Sequence, residues 1–200
     1  MKHEQIFCSC FLHHKKNQMY NSSSTLQKTA YRILIVIDTA AIKNKYSIHD
    51  LDGEKPIKIE QANWFAIYQK NDLDRINSIH AVDVDSKKND KIIISGISID
   101  GGSSDSIILT QIRNYKSIEK SSISFEPVCV SRKTISNNEN SEDGLSVMNV
   151  EQNFIWFESA VSHPGKIKVK IYFSQYYLNS DGNKQDLYGR FWFPLEIKFY

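Results

Sequence analysis

Oxygen-bearing side chains crowd two short stretches of this 200-residue chain, and these are its best candidates for chemistry. Asp100, Ser103, Ser104 and Asp105 share one glycine-containing turn, while Asp181 and Asn183 flank Gly182 in another. Clustered carboxylates, amides and hydroxyls are hard donors, suited to calcium or to the paired hydroxyls of a glycan. Asp100 and Asp105 would carry the ion if calcium binds. The same residue types are ordinary turn formers, and that plainer reading serves either loop taken alone. Tyr188, Trp192 and Tyr200 recur at even positions of the C-terminal segment. On a strand they would share one face, either as a stacking platform or as packing against a core or subunit.

Catalytic motifs come close and fail. Gly96-Ile97-Ser98-Ile99-Asp100 has the spacing of a nucleophile elbow, but Asp100 replaces the second glycine and the segment reads as a hairpin. Asp83-Val84-Asp85 opens like an EF-hand loop, where Lys87 and Lys88 displace the required ligand and glycine. Asn179, Asp181 and Asn183 begin the same pattern, and Lys184 and Arg190 spoil it. No phosphate-binding loop, dinucleotide fingerprint, H-E-x-x-H or C-x-x-C is present. Cys8, Cys10, His13 and His14 are zinc-type ligands on one short segment, with no second pair to close a site. Cys129, between Val128 and Val130, reads as a buried inert thiol. His49, His80 and His163 stand alone in polar stretches and read as solvated. The expectation is a non-enzyme with no cofactor, calcium excepted.

Composition agrees. Apolar residues are 40% and charged residues 24%, a globular balance, and the formal charge of +2 leaves no strong footprint for nucleic acid. No apolar run approaches the roughly 18 residues of a membrane-spanning helix. Three cysteines are too few for a stapled secreted scaffold, so a soluble, reduced, cytoplasmic domain is expected.

The elements that must position these residues are strands. Residues 1–30 read as a disordered or misassigned N-terminal extension with Met19 as an alternative start; Lys2 precedes a short apolar stretch, but Glu4 and the lack of an A-x-A-like site argue against a signal peptide. The domain proper is 31–200. Ile33–Ile37 is a continuous β-branched run, Asn63–Tyr68 a second strand, and Ile92–Ile99 and Ile107–Ile112 flank the acidic turn as a hairpin. Phe125–Val130 is a further candidate, 117–124 and 137–144 are loops, and 154–161 is either a short helix or a strand. Lys166, Lys168 and Lys170 alternate with Ile167, Val169 and Ile171, and Pro194 divides two closing strands at 187–193 and 195–199. With hardly any helical period and no parallel β-α-β rhythm, the fold class is all-β: a β-sandwich, jelly-roll-like or Ig-like, whose strand order is not readable.

The order of these segments resembles the bacterial inclusion body protein family (PixA/AidA type), from about Arg32 to Tyr200. Ile33-Leu34-Ile35-Val36-Ile37-Asp38-Thr39 looks like the family's first strand, and Asn63-Trp64-Phe65-Ala66-Ile67 like its Asn-led apolar strand. Asp90 to Ile99 parallels D-x-[VI]-x-[FIW]-x-[GA]-x-S-[IL], followed by the polar turn to Asp105. The ending is the most telling: Tyr172-Phe173, Tyr176-Tyr177, Asp181-Gly182, Leu187-Tyr188-Gly189 and Phe191-Trp192. Ser104 departs where many members carry a second Asp, which weakens an inherited cation site, and Phe193 stands where Asp-Pro is common. The resemblance implies a β-sandwich without established catalysis, accumulating as cytoplasmic inclusions or induced by cell-density signals in host-associated bacteria. Two functions follow: a self-associating inclusion body protein, its partner a second copy of itself, or a lectin-like module binding glycans at Asp100, Ser103, Asp105, Asp181, Asn183, Tyr188 and Trp192.

Overall fold

A computed structural model describes residues 29–48, 55–68, 80–102, 104–115, 123–138 and 140–200. The N-terminal cysteine–histidine cluster, His49, Ser103 and most of the 117–124 loop lie outside the described residues.

Two mixed sheets stack as a sandwich, as the strand periodicity predicts. One has the order β3 (Trp64–Tyr68), β1 (Ala30–Ile37), β5 (Lys91–Ser98), β8 (Val147–Ala160), β7 (Glu126–Asn137). The other runs β2 (Ile57–Lys58), β10 (Gln185–Phe199), β9 (Gly165–Leu178), β6 (Asp105–Asn114), with β4 (Ala81–Val84) also paired to β10. β1 pairs parallel to β5, and β10 parallel to β2 and β4. Between β1 and β5 the chain visits the opposite sheet through β2 and β4, so no regular β-α-β repeat marks the crossover.

The core lies between the sheets. Ile33, Ile35 and Ile37 of β1 and Ile92 and Ile94 of β5 face Phe173 of β9 and Phe191 and Phe193 of β10, all essentially without exposure. Trp64 stacks on Phe193 with ring centroids 4.2 Å apart. The Asp38-Thr39 stop after β1 is more than a strand end. Asp38 accepts a hydrogen bond from the Ala41 N–H at 2.8 Å and caps a short helix, α1 (Thr39–Lys45), in a sequence with hardly any helical period. It is the longest helix among the described residues, and none is long and apolar enough to cross a membrane.

β10 runs unbroken through Pro194, where two strands were expected. The Trp192 carbonyl accepts from Ile59 N–H on the β2 side, so position 194, two residues on, turns its nitrogen to that same edge. There the neighbours are β2, ending opposite Trp192, and β4, starting opposite Glu196. Pro194 occupies the gap between them, where no donor is required.

The largest departure is the β7–β8 hairpin. β8 is joined to β5 only from Phe157 to Ala160; from Trp156 back to Val147 its strand partner is β7 alone. Segments 131–137 and 147–153 are strands with little beneath them, and 154–160 is strand rather than helix. Cys129 sits on this hairpin, exposed rather than buried. His80, expected to be solvated, packs edge-on against Trp64 at 4.7 Å, while His163 is exposed.

Candidate functional site

The two oxygen-rich turns meet at one end of the sandwich. β6 and β10 both pair with β9, which sets Asp105 opposite Tyr177 and Gln185 opposite Leu178. Gln185 then bridges the turns: its amide nitrogen donates to the Gly102 and Ser104 carbonyls, and its oxygen accepts from Ser106 Oγ. Leu178 N–H donates to the Ser104 carbonyl at 2.8 Å.

With the turns together, Asp100 is turned inward on its own loop and Asp105 is engaged by α1. Asp100 accepts from Ser98 Oγ at 2.6 Å and from the backbone N–H groups of Asp105, Gly102 and Ser104. Burial would raise its pKa, but these donors outweigh burial and hold the carboxyl well below the usual carboxylate range. Asp105 is 5% exposed and grips Lys43 of α1 with both oxygens, at 2.7 and 2.8 Å. Tyr188 hydroxyl donates to the Tyr46 and Lys43 carbonyls at the end of the same helix, and burial followed by the Asp105 charge pushes its phenol up. Gln175, fully buried on β9, donates to the Thr39 carbonyl at 3.1 Å. The group therefore latches α1 across β6, β9 and β10. Asp181 and Asn183 sit in the neighbouring tight turn, where Asn183 N–H donates to Asn179 Oδ1. Among the described residues no three His, Cys, Asp or Glu side chains gather as a metal would need.

The aromatic set separates. A bulge between Leu187 and Gly189 puts Tyr188 out of phase, packed edge-on to Tyr177 and against the core. Trp192 lies on the outer face of its sheet instead. It groups with Tyr115 and Tyr172 at 6.3 and 6.2 Å, and Lys170 Nζ stands 4.6 Å from its ring and 5.0 Å from that of Tyr115. Tyr200 is exposed at the chain end.

What the sequence reading did not find is the arm. Half of the large apolar side chains exposed among the described residues lie on the β7–β8 hairpin: Ile135 at 61%, Leu145 at 76%, Val147 at 62%, with Met148, Phe154 and Ile155. Where the arm leaves the sandwich a cleft of about 460 Å³ opens. It collects Arg32 of β1, Ser95 of β5, Arg132 and Lys133 of β7, and Phe154 and Trp156 of β8. The available signal was charge order: Arg132-Lys133 precede, and Glu142-Asp143 form, the turn of one hairpin.

Comparison with known proteins bears on the whole domain. A crystal structure of an inclusion body protein of the PixA family from Burkholderia cenocepacia J2315 superposes with a TM-score of 0.67. That match is 20% identical and covers 86% of this chain and 97% of the other, so it speaks for the fold. No curated protein matches significantly. The family model for the inclusion body protein PixA spans residues 29–199, nearly everything from β1 to β10, and the chain belongs to that family.

Proposed function

We propose that this chain is a non-enzymatic protein that packs against copies of itself into dense cytoplasmic inclusions. The observation that carries this reading is the arm. A two-stranded hairpin is marginal in water unless something covers a face, and this one exposes Ile135, Val147, Met148, Phe154 and Ile155. A second copy supplies the cover. The net charge of +2 adds little long-range repulsion to oppose close packing. The family resemblance adds a setting, a host-associated bacterium in which cell-density signals raise the protein's concentration, and mass action then drives assembly.

Sedimentation velocity and light scattering over a wide concentration range, without added ligand, test this reading. Particle mass should grow with concentration. A chain that stays monomeric up to millimolar concentration overturns the proposal.

A further inference from the structure

The arm separates charge along its length. Near its base Arg132 lines the cleft with Arg32, while Lys133, next along β7, lies on the opposite face of the hairpin; at its tip Glu142 and Asp143 are exposed. None of the five has an ion-pair partner among the described residues. The nearby acids are already engaged: Glu151, across from Lys133, accepts from Ser131 Oγ, and Glu158 accepts from Lys91 and from Trp156 Nε1. Two cations, Arg32 and Arg132, brought to one cleft repel one another, and an anion entering the cleft relieves that repulsion.

We infer that the anion is carried by a second copy: the Glu142-Asp143 tip of one arm docks in the Arg32–Arg132 cleft of the other, and the reverse contact forms at the same time. This deepens the self-assembly reading and rests on it. Between Arg132 and the strand end at Asn137 lie five steps, roughly 17 Å at about 3.4 Å per residue. The docking tip lies beyond that strand end, so two arms laid antiparallel cross on a two-fold axis near Ser136 and Met148, which face each other across the hairpin. By alternation Met148, Val150 and Phe154 share the face of Arg132, so apolar side chains meet at the axis while opposite charges meet at both ends. A parallel arrangement would set like charge against like. Edge-to-edge pairing of two β7 strands is discouraged by Pro127, which donates no hydrogen bond, and by the Arg132-Lys133 pair on that edge. The contact is isologous and closes as a dimer, the unit from which larger assembly would build.

Charge reversal on the full chain tests the geometry. Arg132→Glu/Lys133→Glu gives an arm negative at both ends, and Glu142→Lys/Asp143→Lys an arm positive at both ends. Each alone should associate at least about tenfold more weakly than the parent, while an equimolar mixture regains pairing within about threefold, because both contacts are then attractive. All four positions are exposed, so circular dichroism and melting temperature should match the parent. Dimerisation of the parent should weaken as salt rises from about 0.05 to 0.5 M, through screening. Single reversals that dimerise like the parent, a mixture that fails to recover, or salt-insensitive dimerisation would each overturn the arm exchange while leaving self-association standing. A parent that never associates overturns both.

Discussion

The sandwich body and the β7–β8 arm are built from the same secondary structure and obey opposite rules. In β9 and β10 alternate residues are buried to near zero exposure, and the pattern of Lys166 to Ile171 announces the strand from sequence alone. In the arm the pairing is as regular, Glu126 to Asn137 against Glu158 to Val147, yet neither face is buried beyond Trp156. The lesson is that hydrophobic alternation reports a buried face, not a strand as such. A strand whose cover comes from elsewhere leaves no period in its own sequence.

The sharpest test compares two phenylalanines. Phe193 is fully buried and stacks on Trp64, so Phe193→Ala should cost about 3–5 kcal/mol in urea unfolding. Phe154, 36% exposed on the arm, should cost at most about 1 kcal/mol when truncated in dilute protein. Equal losses at the two sites would break the distinction between body and arm.

A smaller effect is expected at Gly96, where β5 faces β6. A Cβ there would meet side-chain atoms of Ile107 and Leu109 at 2.9 Å, and Gly96→Ala should cost about 1–3 kcal/mol by overpacking. The latch comes next. Lys43→Met strands the Asp105 carboxylate, 5% exposed, with an expected loss of about 1–3 kcal/mol; Lys43→Met/Asp105→Asn should recover part of it, and the cycle isolates the coupling. Additive losses would show that α1 is held by something else.

Asp100 contributes through pH. Its folded pKa lies below the ordinary value near about 3.9, so its stabilisation is complete at neutral pH. It is lost as pH falls below about 4, because the unfolded chain takes up the proton first. Asp100→Asn should lower stability by about 1 kcal/mol at pH 7 and flatten the acid limb of the stability curve. A parent and variant with parallel acid limbs would refute the assignment.

These cases also mark what the sequence made legible. The body was readable because its strands bury one face, and the family signature lies in those same strands. The convergence of the two turns was not readable, since it depends on β6 and β10 sharing β9 as a neighbour. Nor was the burial of Asp105, whose partner Lys43 lies 62 residues away in sequence on a seven-residue helix. Pro194 misled because its breaking rule assumes a partner on both edges. The arm was invisible for the opposite reason: it has too little burial to leave any pattern.

The smallest expected stability change is therefore the most informative. Ile135 and Val147 are more than 60% exposed, so Ile135→Ser and Val147→Ser should shift unfolding of dilute protein by no more than about 0.5 kcal/mol. Both lie on the arm face opposite Arg132, so arm exchange through the Arg132 face alone leaves association unchanged, while weaker association and a lost concentration dependence of the melting temperature would show that assembly covers the second face as well. A stability loss already present in dilute protein would mean that the arm packs within its own chain. Unchanged association would leave the interface on the Arg132 face alone.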